Sequence, residues 1–383
     1  MRLAHLENWT VAPAGAATWL AVGNPLAPVD LVISTTRLIQ IVEHEPADLI
    51  ATAQAGVTLS DFNQTLARGR QWLPLDPPDD GRATIGGVVA SGLSGPQSHS
   101  YGGPRNFVIG MKVVRADGKL VKAGGKVVKN VAGYDLCKLF TGSYGTLGLI
   151  TEVTFKLRPL PQEICTTLVW GSVESLLDGA RKLVSANLFP AAVELLSPDF
   201  AAEADFAKPG EALLMVRFAG SREAVEQQSL QAEELLRLCG RWDGPMPKDD
   251  FKLWEVVSKL PLGFSERCVW SAAVPPADVP GFLRLVDDNQ GSITGMWQLG
   301  VAGGHIRGIE PATTDSDQTL KKLQRLRAAA EALRGLLLVE NADADIKNKF
   351  DAWGSLGSRA SLMKQIKQQL DPQNILSPGR FAL

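Results

Sequence analysis

Glycines are concentrated in one part of this chain. More than a third of its 37 glycines lie between Thr84 and Thr151, in short runs separated by apolar, strand-like stretches. Glycine costs backbone entropy on folding, so this density in an ordered region requires a reason. One reason is a long ligand rich in phosphate oxygens, approached closely by backbone N–H groups of several loops. A β-rich domain with many tight turns is the alternative that the spacing leaves open.

The common phosphate-binding signatures are absent from the sequence. Gly142, Gly145 and Gly148 have the spacing G-x-x-G-x-x-G, which differs from the G-x-G-x-x-G of a Rossmann unit. The sequence also lacks a G-x-x-x-x-G-K-[ST] phosphate loop. We therefore predict that a dinucleotide is held by a different architecture.

Composition excludes several classes of function. A formal net charge of −2 and a pI near 6.2 provide no field that would attract nucleic acid or an anionic membrane. The four cysteines are far apart and form no C-x-x-C pair, which excludes an iron–sulfur or zinc site made of cysteines alone. Reduced cysteines and the lack of a long apolar run predict a cytoplasmic protein without direct membrane insertion, which could associate with a membrane only through partners.

Five segments carry a resemblance to a known family. They are Thr84–Gly87 with Ala90–Gly92, Tyr101-Gly102 with Val108–Val114, Asn130–Leu136, Leu139–Thr151 and Leu370–Phe381. Together they resemble the FAD-binding domain of the vanillyl-alcohol oxidase type, also called PCMH-type. The match is strong over roughly the first 160 residues and the last 15, and it is thinner between them.

The resemblance implies FAD as the cofactor and a set of residues around it. In this family a glycine-rich loop at the position of Ala14–Trp19 grips the pyrophosphate; alanines stand here instead, which predicts a looser grip or an ordinary backbone geometry. This loop and the turn at Tyr101 contain no histidine or cysteine, so we expect non-covalent FAD. The cofactor-binding residues implied are Gly15, Thr18, Pro77, Thr84, Ile85, Gly86, Gly87, Ser91, Gly92, Tyr101, Gly102, Tyr134, Gly142, Gly145, Thr146, Gly148, Ile150 and Arg380.

The predicted fold class is α+β. We expect a two-subdomain FAD-binding domain of the vanillyl-alcohol oxidase type over residues 1–161 and a ferredoxin-like α+β cap over 162–340. Residues 341–383 are expected to return to the FAD domain. The family has a strand and most of a helix before the first loop, so we hypothesise that this chain starts inside the first β-α unit. No internal repeat is evident, and the basic face of a helix over 318–336 is interpreted as solvated or as a docking surface.

Oxidation of a 2-hydroxy acid is the reaction that the resemblance implies, and it needs a base and a cation. His305 and Arg307 are the candidates, because a spacing of two places both side chains on one face of a strand. Arginine can hold a carboxylate in bidentate fashion. Tyr134 is expected to stack near the flavin or to pack in the core. Arg380 is expected either to reach the flavin or to form a surface ion pair. No metal site is predicted.

Three functions remain open from the sequence. Within the family the chain is most similar to FAD-binding subunits of enzymes that oxidise glycolate, which implies a catalytic flavoprotein subunit and an iron–sulfur subunit as partners. The second is a self-sufficient FAD-dependent 2-hydroxy acid dehydrogenase that uses His305 and Arg307. The third is a non-catalytic module whose flavin is structural and whose cap is an interaction surface.

Overall fold

The computed structural model describes residues 1–125, 134–206, 210–247, 250–263, 266–286, 295–311 and 315–381. These residues form two compact units. The first unit contains Met1–Gly95, Gly102–Leu160 and Ser355–Leu383, and the second contains Pro96–Tyr101 and Pro161–Gly354. Both units mix helices with sheets, so the predicted α+β class is confirmed.

The elements follow one another along the chain without a long gap. The α-helices are α1 (Arg2–Leu6), α2 (Leu59–Ala67), α3 (Ile85–Ser91), α4 (Ser98–Tyr101), α5 (Pro104–Phe107), α6 (Leu136–Phe140), α7 (Val173–Ser185), α8 (Pro198–Glu203), α9 (Arg222–Leu236), α10 (Asp250–Lys259), α11 (Val279–Val286), α12 (Ser316–Ala332), α13 (Ala344–Lys349) and α14 (Arg359–Leu370). The strands are β1 (Val11–Ala14), β2 (Leu31–Ser34), β3 (Ile41–Glu45), β4 (Ile50–Gln54), β5 (Gln71–Trp72), β6 (Val108–Val114), β7 (Leu120–Gly124), β8 (Leu149–Lys156), β9 (Arg158–Pro159), β10 (Glu163–Gly171), β11 (Ala192–Leu196), β12 (Ala212–Gly220), β13 (Arg241–Pro247), β14 (Val269–Ala273), β15 (Met296–Gly300), β16 (His305–Ile309) and β17 (Leu336–Asn341).

The first unit is built around a five-stranded antiparallel sheet in the order β3-β4-β8-β6-β7. The hairpin of β6 and β7 turns at Asp117-Gly118, where Gly118 takes a left-handed φ of 77° that glycine adopts at no steric cost. Helix α2 begins as predicted, because the Thr58 side chain accepts a hydrogen bond from the Asp61 N–H. Its apolar residues, Leu59, Phe62 and Leu66, are buried.

The parallel pair β1 and β2 stands beside that sheet in the first unit and is joined to the C-terminal segment. Val11 N–H donates to the Ile375 carbonyl (2.7 Å), and Ser377 N–H donates to the Val11 carbonyl (2.8 Å). Strand β1 ends at Ala14, directly before the loop of residues 15–20. The last residues of the chain therefore hold the strand from which this loop leaves.

The second unit contains the same topology twice. Strands β10 to β13 with α7 and α9 form a β-α-β-β-α-β unit in the sheet order β13-β10-β12-β11, which is the ferredoxin-like arrangement. Strands β14 to β17 with α11 and α12 repeat it in the order β15-β16-β14-β17. The two halves join through β11 and β15 into one eight-stranded sheet. One ferredoxin-like motif was predicted, and the structure has two.

Two hydrophobic clusters cover this sheet. The larger packs α7, α9, α11 and α12 against one face, and the smaller packs α8 and α10 against the other. The basic residues of α12 are not simply solvated, as one reading of the sequence had them. Lys322 donates to the buried Glu310 carboxylate (2.9 Å), and the Arg327 guanidinium lies 3.7 Å from the centre of the Phe350 ring. Both cations support packing within the unit.

Within the described part of the chain, no helix combines the length and the apolar character that crossing a membrane requires.

Candidate functional site

The first unit contains a cavity of about 710 Å³ that opens to solvent. This volume lies within the range of ligand sites, roughly 300–1,000 Å³. The lining comes from the loop after β1, from the start of α3, from the loop before β8 and from the C-terminal segment. The lining residues are Pro13, Ala14, Gly15, Ala16, Ala17, Thr18, Trp19, Leu20, Thr35, Thr84, Gly86, Gly87, Ala90, Ser91, Tyr144, Gly145, Gly148, Leu149, Ile150 and Arg380.

The loop of residues 15–19 presents a row of backbone donors to this cavity. Among the residues that the structure describes, none accepts a hydrogen bond from the five N–H groups of residues 15–19. Ala17 has a left-handed φ of 63°, a conformation that costs an L-residue roughly 1–2 kcal/mol. The expectation of an ordinary backbone here was therefore wrong. Successive N–H groups around a left-handed residue form a concave site for an anion.

Two side chains of the same loop add to its polarity and its rigidity. The Thr18 hydroxyl oxygen is buried and has no hydrogen-bond partner within the described protein. A buried hydroxyl without a partner is costly, so this one is suited to a ligand group that the chain does not itself supply. Trp19 is buried and donates from Nε1 to the Pro78 carbonyl (2.8 Å), which fixes the end of the loop.

The turn from Thr84 to Gly87 is already satisfied by protein contacts. The Thr84 side chain caps α3 by accepting from the Gly87 N–H, and the Gly86 N–H donates to the Ala55 carbonyl (2.8 Å). A Cβ on Gly86 would lie 2.7 Å from the Ala55 Cβ, and one on Gly15 would clash with the Thr84 hydroxyl. Part of the glycine density is thus required by close packing within the protein rather than by a ligand.

The loop of residues 142–148 needs its glycines for conformation as well as for space. Gly142 and Gly145 have φ values of 79° and 72°, and a Cβ on Gly145 would lie 3.2 Å from the Pro13 Cγ. A Cβ on Gly148 would clash with the Val113 side chain. This loop therefore reaches the cavity only because three of its positions lack a side chain.

Arg380 is buried at the edge of the cavity. Its Nη1 donates to the carbonyls of Val22 (2.6 Å) and Asn24 (3.0 Å), and its Nη2 donates to the carbonyl of Leu20 (3.0 Å). Burial lowers the pKa of this guanidinium, but an arginine stays charged at any physiological pH. Arg380 therefore orders the chain after the loop of residues 15–19. The alternative of a surface ion pair was wrong.

The structure brings together ten of the predicted cofactor-binding residues. Those that line the cavity are Gly15, Thr18, Thr84, Gly86, Gly87, Ser91, Gly145, Gly148, Ile150 and Arg380. The remaining predicted residues do not line it: Pro77, Ile85, Gly92, Tyr101, Gly102, Tyr134, Gly142 and Thr146. Ile85 is fully buried in its unit, and Tyr101 ends α4 of the second unit. Tyr134 is 97% exposed, so it does not pack in a core. The preceding residues of its predicted turn, 130–133, lie outside the described residues.

His305 and Arg307 lie in the second unit, on one face of β16. The guanidinium of Arg307 is held by Glu340 of β17, with Nε 3.0 Å from Oε2 and Nη2 3.1 Å from Oε1. Both side chains are only 12–13% exposed. The Nη1 of Arg307 has no partner among the described residues, which leaves one edge of the guanidinium for a ligand. Burial, followed by the charge of Arg307, lowers the pKa of His305, so its imidazole is neutral at neutral pH.

Further polar residues extend this face across the sheet. Gln298 stands opposite Arg307 in the register of β15 and β16, and its Nε2 donates to the buried Glu194 carboxylate (3.3 Å). The Gln298 Oε1 is buried without a partner in the described protein. Within the described ranges, no group of three or more His, Cys, Asp and Glu side chains could hold a metal ion.

Sequence reasoning missed several of these residues. Glu340, Trp19 and Gln298 carry no local signal, because each acts through a partner on another element. Lys367 and Asp371 belong to the recognised C-terminal segment or lie next to it, yet their burial could not be read from a helix rich in lysine and glutamine.

Comparison with known proteins places the chain among FAD enzymes. Residues 1–124 match a family described as "FAD binding domain", and residues 355–381 match "FAD linked oxidases, C-terminal domain". The chain is similar to the glycolate oxidase subunit GlcE of Escherichia coli (strain K12), with 45% identity over 372 residues that cover 94% of this chain and 89% of the relative. It is also similar to the glycolate oxidase subunit GlcD of Bacillus subtilis (strain 168), with 28% identity over 97% of this chain and 83% of the relative.

Two further similarities are more distant. A probable mitochondrial D-lactate dehydrogenase of Danio rerio is 28% identical over 99% of this chain and 80% of its own length. Among solved structures, an alkyldihydroxyacetonephosphate synthase has a TM-score of 0.71 at 17% identity, covering 98% of this chain and 74% of that one. The second likeness concerns the fold alone, and it agrees with the vanillyl-alcohol oxidase type expected from the sequence. The cofactor of this chain is FAD, and its relatives are oxidoreductases acting on 2-hydroxy acids. The chain thus belongs to the family of FAD-linked oxidoreductases with a PCMH-type FAD-binding domain.

Proposed function

We propose that this chain is the FAD-binding subunit of a multi-subunit enzyme that oxidises glycolate to glyoxylate. The observation that carries the proposal is the identity of 45% to a protein named as a glycolate oxidase subunit, over nearly the whole of both chains. The partners proposed are a catalytic flavoprotein subunit and an iron–sulfur subunit, to which the electrons pass. Any attachment to a membrane would then come through these partners.

The proposed seat of FAD is the cavity of the first unit. The five N–H donors of residues 15–19 and the buried Thr18 hydroxyl fit the pyrophosphate, which needs several donors and tolerates no side chain between them. The apolar part of the lining, which includes Leu149 and Ile150, fits a flat ring system. No residue of the loop could form a covalent bond to a flavin ring, so FAD is proposed to be held by these contacts only.

A second candidate function, a self-sufficient 2-hydroxy acid dehydrogenase, is favoured by the arrangement of His305, Arg307 and Glu340. FAD, when bound, supplies the acceptor for the hydride that leaves the substrate α-carbon. Arg307 would bind the substrate carboxylate through Nη1 while Glu340 holds the other edge of the guanidinium. The neutral ring of His305 would take the hydroxyl proton as the carbonyl forms.

One experiment separates the two candidates. The visible absorption of the purified, FAD-loaded chain is recorded before and after anaerobic addition of glycolate, first alone and then with the partner subunits. The complex proposal predicts flavin bands that persist in the isolated chain and bleach once partners are present. Bleaching in the isolated chain, abolished by His305→Gln, would support the self-sufficient dehydrogenase. Persistent bands in the complete, glycolate-reducing complex would leave this flavin without a redox role.

A further inference from the structure

A buried lysine joins the two loops that form opposite parts of the cavity lining. Lys367 lies in α14 and is 8% exposed, which is rare for a residue that normally reaches solvent. Its ammonium group donates to the Thr146 carbonyl (2.8 Å), to the Leu376 carbonyl (2.8 Å) and to Asp371 Oδ2 (2.6 Å). All three ammonium protons are therefore used.

Each acceptor belongs to a segment that leads to the cavity. Thr146 lies between Gly145 and Gly148, which both line it. Leu376 lies in the C-terminal segment that is bonded on both sides to Val11 of β1, and β1 continues into the loop of residues 15–19. One ammonium group thus connects the loop of residues 142–148 to the strand that carries the row of N–H donors.

Asp371 completes this arrangement. Its side chain is fully buried, and its two oxygens accept from the N–H groups of Ile375 (3.1 Å) and Leu376 (2.8 Å). The carboxylate therefore shapes the C-terminal segment and neutralises Lys367 at the same time. A buried ion pair contributes little net stability, because the cost of desolvating both charges offsets their attraction. The pair is better suited to fixing a geometry than to stabilising the fold.

We propose that Lys367 is a positioning residue for FAD, whose ammonium group sets the separation of the loop of residues 142–148 from the loop of residues 15–19. The inference rests on the proposed seat of FAD in this cavity. It predicts that loss of Lys367 weakens FAD binding by more than it disturbs the rest of the unit. The weakening arises because the FAD-free protein then samples open arrangements, and the affinity falls with the fraction of molecules in the competent one.

The test compares Lys367→Met with a matched control in the same unit. Lys112 forms an ion pair with Glu152 (2.8 Å) between β6 and β8, and neither residue lines the cavity, so Lys112→Met removes a lysine ion pair without touching the loops. The dissociation constant of FAD is measured by quenching of flavin fluorescence on the FAD-free proteins. We expect an increase of about 10-fold or more for Lys367→Met and less than about 2-fold for Lys112→Met.

Hydrogen exchange of the FAD-free proteins gives a second readout. Lys367→Met should accelerate exchange in peptides covering residues 15–19 and 142–148 together, whereas Lys112→Met should leave both unchanged. An unchanged dissociation constant in a folded Lys367→Met protein would overturn the proposal and leave Lys367 a structural residue. Because a lone buried Asp371 could unfold the chain, Lys367→Arg serves as a second variant. It keeps the charge but spreads the donors over a plane, and wild-type FAD affinity in it would also overturn the proposal.

Failure of the inference can be told apart from failure of the proposed seat. Gly145→Val perturbs the cavity lining directly. If Gly145→Val binds FAD normally, the cavity is not the FAD site. If Gly145→Val loses FAD while Lys367→Met retains it, the seat stands and only the role of Lys367 is refuted.

Discussion

Replacing Thr18 by valine should stabilise the FAD-free protein and weaken FAD binding at the same time. The Thr18 hydroxyl oxygen is buried without a partner. Leaving a buried polar group unsatisfied costs roughly 1–3 kcal/mol, and valine removes that cost with almost the same shape. A hydrogen bond to a charged group contributes about 1.5–3 kcal/mol, so losing one to the pyrophosphate should raise the FAD dissociation constant by about 10- to 150-fold.

Thr167 provides the matched control for this prediction. Its hydroxyl oxygen is also buried without a partner in the described protein, but it lies in β10 of the second unit. Thr167→Val should therefore raise the unfolding free energy without changing FAD affinity. Stability is measured by urea unfolding of the FAD-free proteins and affinity by titration calorimetry. A Thr18→Val protein that is less stable and binds FAD as tightly as wild type would refute the reasoning.

Four further outcomes are expected. Gly145→Val should abolish FAD retention on gel filtration, because a valine at φ 72° is strained and its Cβ meets Pro13 at 3.2 Å; a flavin-loaded variant would contradict this. Ala17→Gly should raise the melting temperature of the FAD-free protein, since it relieves roughly 1 kcal/mol of left-handed strain, and a lower melting temperature would count against that geometry. Acid precipitation should leave FAD in the supernatant, whereas flavin in the pellet would mean a covalent bond. Because burial lowers the pKa of His305, wild type should lose more unfolding free energy than His305→Gln as pH falls from 7.5 to 5, and equal losses would show that His305 is not buried as described.

Local signals predicted elements well, and contacts between distant segments could not be predicted. The Thr58 cap and the turn at Asp117-Gly118 each depend on a few consecutive residues, so the sequence was sufficient for both. The left-handed Ala17 carries no such signal, because alanine prefers other conformations and the loop must be held by its surroundings. Lys367 binds a carbonyl 221 positions away in the chain, which no spacing rule reveals.

The duplicated topology of the second unit was hidden for a related reason. The order of the strands repeats, but the side chains that fill the two halves differ, and only strand pairing reveals the correspondence. The same holds for Arg307. Its position on a strand face followed from the spacing to His305, whereas its pairing with Glu340 depends on the approach of β17.

A structure of the FAD-loaded chain tests the central claim most directly. The account predicts pyrophosphate oxygens within hydrogen-bond distance of the N–H groups of residues 15–19 and of the Thr18 hydroxyl. A pyrophosphate bound anywhere else, with those five donors still facing an empty loop, would contradict it.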